Sequence, residues 1–353
     1  MKNKVYINGM GAVTAQGNWR DSFWAESQEI RYPITKAVQP SYKDLIPPSM
    51  VRRMSRGIKM GIYAAQQALD DAGIALPDAI ITGTGLGCSE DSEKFLRNIL
   101  DNEEQFLTPT SFIQSTHNTV AAQIALRLQC KGYNFTYVNR SVSFESALLD
   151  GLVQLQHGEA DQLLVGGVDE VSDHTYMLLQ RIGHIKPDGI TETVRESQSI
   201  GVNYAEGASF FALSGTKTER SYAELADVLL RNVVEQEELG AFVQSFLEHN
   251  GLQISDVDTL VLGINGDQEY DSYYRSVMEF CPDANVLYYK HLVGQFDSCS
   301  AFALIVAAYV ATMQTVDPIL HWEAPSAKRP IRNILLYNHY KGRDHSLLLV
   351  RTC

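Results

Sequence analysis

Basic charge is scarce in this chain. Twenty-nine Lys and Arg face 42 Asp and Glu, for a net charge of −13 over 353 residues. A general nucleic-acid binder needs a basic footprint, and an anionic membrane surface would repel such a chain, so neither is an expected partner. Long apolar runs are missing too. The longest, Ala301 to Met313, has 13 residues and is interrupted by Tyr309 and Thr312; it is too short to span a bilayer and reads as a buried helix. Near the N-terminus Val5-Tyr6-Ile7 reads as a strand, where a signal peptide would need a longer apolar stretch. The five cysteines (Cys88, Cys130, Cys281, Cys299, Cys353) are scattered, with no CxxC. They are expected as reduced thiols in a cytoplasmic protein, with neither a disulfide frame nor a metal site. What remains is 45% hydrophobic and 20% charged, the composition of a globular protein with a large core.

One stretch organises the rest. Phe135 to Val138 is aromatic and β-branched, as strands prefer. From Phe144 onward Phe144, Leu148, Leu152 and Leu155 recur at helical spacing. Ser143 is placed to cap that helix and Gly158 to end it. A strand running through a sharp turn into a helix start gathers side chains and free N–H groups at one point, where nucleophiles and oxyanion donors are often found.

Elsewhere, Gly9-Met10-Gly11-Ala12-Val13-Thr14 begins like a dinucleotide fingerprint but has Thr14 where the third glycine belongs, and reads as a tight structural turn after the strand Val5 to Met10. A long helix from Ser55 to Ala72 carries Ile58, Ile62, Ala65 and Leu69 on one face. Arg52, Arg53, Arg56 and Lys59 form the one dense basic cluster, either a solvated face or a dock for an acidic partner. The order of elements repeats: Ile81 and Val261, and Ala121 and Ala301, stand 180 residues apart in similar surroundings. The chain is expected to be two copies of one βα unit, 1–230 and 231–353, packed as one α/β body.

The motifs resemble the β-ketoacyl synthases of the thiolase fold. The resemblance lies in Val5 to Thr14, Ala64-Ala65-Gln66-Gln67-Ala68-Leu69-Asp70-Asp71-Ala72-Gly73, Asn118-Thr119-Val120-Ala121-Ala122-Gln123-Ile124-Ala125, Gly158 through Gly166-Gly167-Val168, and Ala205-Glu206-Gly207-Ala208-Ser209, in the family's order. It implies a five-layered αβαβα body, a dimer formed through the strand Phe135 to Val138, and no cofactor. It also implies decarboxylative condensation of an acyl thioester with a malonyl-carrier thioester. That chemistry uses a helix-start cysteine, two histidines and a glycine-rich C-terminal loop.

This sequence departs from the pattern at each of those places. Counting back from Gly158 puts Ser141 at the cysteine position, and a serine hydroxyl needs an adjacent base. The first histidine motif reads Gly263-Ile264-Asn265-Gly266-Asp267. The second, Lys-x-x-x-Gly-His, reads Lys290 to Gln295, with Gln295 for histidine and His291 four residues early. Leu304 occupies the place of an acidic residue that usually accompanies Lys290. The glycine loop reads His339-Tyr340-Lys341-Gly342, where only Gly342 and an aromatic, Tyr340, remain to meet a substrate. Phe144 stands where the family has a small residue, either plugging the old pocket or filling core.

The resemblance therefore implies a condensation-incompetent subunit akin to the chain length factors of type II polyketide systems and the partner subunits of aryl polyene synthases, in the wider setting of fatty acid and polyketide synthesis. Its partners would be an active ketosynthase (or a second copy, as a homodimer) and an acyl carrier protein docked at Arg52, Arg53, Arg56 and Lys59. The alternative is an acyltransferase or decarboxylase using Ser141.

Overall fold

The computed structural model describes residues 3–20, 22–105, 107, 109–323 and 330–353. Apart from four short strands (Gly17–Asn18, Ile34–Thr35, Tyr204–Ala205 and His321–Glu323), the strands of the described residues fall into two sets of five with one arrangement. The first set is Tyr6–Thr14, Ala79–Gly83, Tyr133–Tyr137, Gln162–Asp169 and Gly207–Ser214. The second is Ala223–Val233, Thr259–Leu262, Asn285–Tyr288, Asn333–Tyr340 and Arg343–Arg351. In space each set runs third, second, fourth, fifth, first. Second, third and fourth strands are parallel, and the fifth is antiparallel to both its neighbours. The two sets meet where Tyr6 and Ile7 pair with Glu224 and Ala223.

Parallel strands need crossover helices on both faces, and these build the layers. Helix Ser300–Met313 is buried on nearly every side, as its uniformly apolar sequence requires. It lies with Ser143–His157 between the two sets of strands, inside the largest core cluster. Arg56–Ala72 and Thr119–Leu128 cover one outer face, Leu239–His249 and Ser272–Phe280 the other, each over its own cluster.

The duplication is as the sequence suggests, but one pairing of helices is not. Thr119–Leu128 joins the second strand to the third, whereas Ser300–Met313 joins the third to the fourth and matches Ser143–His157. The 180-residue spacing holds for the strands and misleads for the helices, because small apolar residues recur wherever a helix packs closely. Residue 230 also lies inside a strand whose main partner is Arg343–Arg351. We therefore place the division between the halves in the connection 215–222.

The glycine turn expected after Met10 is a continuation of the strand, which runs to Thr14. A Cβ on Gly9 or Gly11 would run into the carbonyls of Ala68 and Ala64 on helix Arg56–Ala72. These glycines let a helix backbone lie directly on the strand. That helix is capped by Ser55 Oγ, which accepts from the Ile58 N–H, and closes on Gly73 in the left-handed region.

Candidate functional site

The strand Tyr133–Tyr137 leads into one 3₁₀ turn, Arg140–Val142, and then the helix Ser143–His157. Ser143 is the helix's first residue and does not cap it. Its Oγ accepts from the Asn139 N–H at 2.8 Å and lies 2.6 Å from the Arg140 carbonyl and 3.0 Å from that of Thr84, which share its one hydrogen, pinning the turn instead. Arg140 holds the strained backbone, with φ of +50°.

The turn borders a cavity of about 440 Å³ whose wall includes Arg140, Asn265, Asp267, Gln295, Asp297 and Tyr340. The two halves build it together. Gln295 is held from both sides by its backbone, between Asn203 and Ala205. Ser141 is buried and is not part of the cavity wall; its Oγ lies 3.4 Å from Asp344 Oδ2. Phe144 is fully buried against Phe211, ring centroids 5.8 Å apart, also away from the cavity wall. Gly342 sits in the hairpin turn beside Lys341, both with positive φ. The glycine-type backbone thus persists at Lys341 without the glycine. The Gly342 N–H is taken by His339 Nδ1 at 3.1 Å.

Behind the wall lies Lys290, wholly buried. Its Nζ donates to Gln295 Oε1 and Asn338 Oδ1, both at 2.8 Å. Asn265 Nδ2 donates to the same Gln295 oxygen at 3.2 Å. Gly263 makes room here: its Cβ would strike Asn338 Oδ1. Burial lowers the pKa of Lys290, against the pull of Cys299, Glu145 and Asp271. Asp297 is pushed up to about 7, by burial first and then by the neighbouring Asp169. Burial and then Asp297 raise Tyr340 to about 12.

Sequence reasoning singled out Gln295, Tyr340 and Lys290, and the structure brings them together. It missed Arg140 and Asp297, whose neighbours in the chain gave no pattern, and Glu145, which an amphipathic reading treats as an outward residue of a helix start. His291 is no part of the cavity. It stacks on Tyr288, ring centroids 3.6 Å apart, and its Nε2 lies 2.8 Å from the Ile319 carbonyl. Burial depresses its pKa to about 3. The unfolded chain takes up a proton near pH 6.5 that the folded chain refuses, so the stability His291 contributes is full above that pH and falls below it. The unfolding free-energy difference between the native protein and His291→Gln should shrink by about 1.4 kcal/mol per pH unit from pH 6.5 towards 4.5; a difference constant with pH in urea titrations would contradict this.

The basic cluster divides. Arg52 and Arg53 are exposed, and Lys59 lies over the Tyr42 ring at 5.9 Å. Arg56 turns inward instead. Its guanidinium forks onto Glu206, Nε and Nη2 each 3.0 Å from a carboxylate oxygen, and pairs with Glu90. Burial works against its charge, and the two carboxylates outweigh it and raise its pKa. Arg56 is therefore withdrawn from any docking face.

Residues 35–218, just over half of the chain, match the family model for the β-ketoacyl synthase N-terminal domain. The chain belongs to the β-ketoacyl synthase family. It is 25% identical over 190 residues to a 3-oxoacyl-[acyl-carrier-protein] synthase 2 of Synechocystis sp., a match covering 48% of this chain and 46% of that protein. It is 23% identical over 368 residues to nodulation protein E of Rhizobium sp. strain N33, covering 92% and 90%. The matched stretch thus spans about half the length of the first of these relatives and most of the second. Among solved structures, the ishigamide ketosynthase/chain length factor superposes with a TM-score of 0.82 at 17% identity over the whole of both chains. A β-ketoacyl synthase from Burkholderia phymatum does so with a TM-score of 0.82 at 18% identity. These two share the thiolase-like fold of this family member. No helix among the described residues is long and apolar enough to cross a membrane.

Proposed function

We propose that this synthase-family chain does not itself condense acyl groups, and that it pairs with a cysteine-bearing ketosynthase as a chain-length-factor-like subunit acting with an acyl carrier protein. One observation carries the reading. In the cavity where a thiolate and two imidazoles would be needed, Asn265 and Gln295 are bonded to each other, and Ser141 lies outside the wall with its hydroxyl on Asp344. Losing one member of such a set costs orders of magnitude in rate, and here the nucleophile and both bases differ together.

Pairing is supported by the edge strand Tyr133–Tyr137. It ends its sheet, and Tyr133, Phe135 and Val138 are each 45% exposed. An exposed aromatic edge invites another strand, and the resemblance puts the family's dimer there. The fold shared with a ketosynthase/chain length factor is consistent with this. The Asp344 contact keeps a second reading, Ser141 as acyl acceptor, open to the same experiment.

The protein should co-purify with an active ketosynthase from its own genome and raise or redirect that enzyme's products. Alone, with acyl- and malonyl-carrier protein, it should give neither a condensation product nor a covalent adduct by mass spectrometry. An acyl adduct abolished by Ser141→Ala would replace this reading with the second. A homodimer unchanged by co-expression with every such ketosynthase would sink the pairing. Arg52→Glu with Arg53→Glu should weaken carrier-protein binding at low salt by roughly tenfold, since exposed charges act mainly through long-range attraction.

A further inference from the structure

A second cavity, of about 230 Å³, lies in the C-terminal half and shares no wall residue with the first. The segment 264–271 serves both: Ile264, Gln268 and Asp271 border this one, and Asn265, Asp267 and Tyr270 the other. One wall is a face of the helix Ser272–Phe280. Asp271, Tyr274, Arg275 and Met278 all border the cavity, and they follow the i, i+3, i+4, i+7 spacing of a single helix face. Asp271 is the N-cap and already has helical backbone angles, φ −63° and ψ −18°, so its side chain belongs to that face.

One atom here is not accounted for by the fold. Asp271 is only 6% exposed, and its Oδ1 has no hydrogen-bond partner. A buried carboxylate oxygen without a donor costs free energy. Burial, and then repulsion from Asp267, push this carboxyl up to about 7, against the pull of Arg275 and Lys290. An ammonium at Oδ1 would supply the missing donor and hold the group ionised.

Cations border the same cavity. Arg275 stands one helical turn beyond Asp271 and is exposed. The guanidinium of Arg195 lies over the rings of Trp322 and Tyr288, 5.0 and 5.5 Å from their centroids, and donates to the His321 carbonyl at 2.7 Å. A guanidinium has five N–H donors, so Arg195 keeps several for an anion. The rest of the wall is largely apolar, with Val194, Ile264 and Trp322.

We infer that this cavity is a binding site for a small zwitterion, its ammonium on Asp271, its carboxylate on Arg275 and Arg195, and a short apolar body against Met278 and Trp322. Four residues of helix advance about 6 Å, which suits an ω-amino acid with roughly four methylenes between its charged ends. The site needs neither a partner subunit nor a carrier protein.

The probe is 5-aminopentanoate, set against pentylamine and pentanoate, each of which lacks one charged end. Calorimetric titration of the purified chain should show the zwitterion binding about tenfold more tightly than either, the worth of one charge-assisted hydrogen bond. Asp271→Asn, which keeps the shape of the side chain, should erase the advantage over pentanoate. Arg275→Met should cut the advantage over pentylamine to about threefold, with Arg195 still in place. Arg275 is exposed, so this second variant folds whatever becomes of Asp271→Asn. Tryptophan emission locates the ligand. Its change on adding 5-aminopentanoate should vanish in Trp322→Phe, while the calorimetric affinity stays within about twofold because a ring still forms the wall. No binding of the zwitterion, equal binding of the three probes, or ratios indifferent to both Asp271→Asn and Arg275→Met would overturn the inference; water alone would then meet the Asp271 oxygen.

Discussion

Replacing Arg56 by Met is expected to lower the unfolding free energy by about 4 kcal/mol, the scale for removing one partner of a buried ion pair. Glu206 is the reason. Its side chain has no exposure, and besides the Arg56 fork it accepts from the backbone N–H groups of Ala37 and Val171 at 3.3 and 3.2 Å. Arg56 also reaches the Val171 carbonyl at 3.0 Å. One guanidinium thus ties the start of helix Arg56–Ala72 to Glu206, the residue just before the strand Gly207–Ser214, and to the segment after Gln162–Asp169. Without it the carboxylate is left charged and uncompensated in a low-dielectric interior. Arg56→Met with Glu206→Leu should recover most of the loss, because two apolar groups in place of a buried pair are often tolerated. Arg52→Glu and Arg53→Glu, both exposed, should each stay within about 0.5 kcal/mol of the native protein. Urea unfolding of these variants decides the matter: a loss under 1 kcal/mol in Arg56→Met would mean that the fork is a surface pair and Arg56 belongs with its neighbours.

That division shows what a sequence hides. Arg52, Arg53, Arg56 and Lys59 read as one patch because spacing along a chain does not say which long side chain turns inward; the partner, Glu206, is 150 residues away. The duplicated α/β body was legible because each half must repeat its strand pattern to bury a sheet, as Thr259–Leu262 repeats Ala79–Gly83. The helices were matched wrongly because small residues mark close approach and not position in a topology. Gly9 and Gly11 misled in the same way: a glycine needed for a helix carbonyl and one needed for a turn look alike. At the cavity, the motif frame located Gln295, Lys290 and Tyr340, since a strand end or helix start fixes them by register. Asp297 and Glu145 matter through what faces them from other elements, and no local pattern records that.

Phe144→Ala should cost about 4 kcal/mol as well, and what accompanies the loss separates the two roles the sequence left open for this ring. A fully buried phenylalanine truncated to alanine loses its transfer energy and leaves a void. Phe144 has the close surroundings that make such a void costly. It lies against Phe211, and its helix start approaches Gly83 so closely that a Cβ there would stand 2.5 Å from the Phe144 nitrogen. The backbone around it cannot collapse without moving the strand Ala79–Gly83. As core, the ring's removal should leave the product lengths of the proposed complex with a ketosynthase unchanged, with stability carrying the whole effect. As a plug, it would open apolar space next to the turn Arg140–Val142. Longer products would then accompany a loss of stability under about 2 kcal/mol, since a space that takes a chain is not left as an empty void. The position of Phe144, away from the cavity wall and inside the core between the two sets of strands, favours the first outcome.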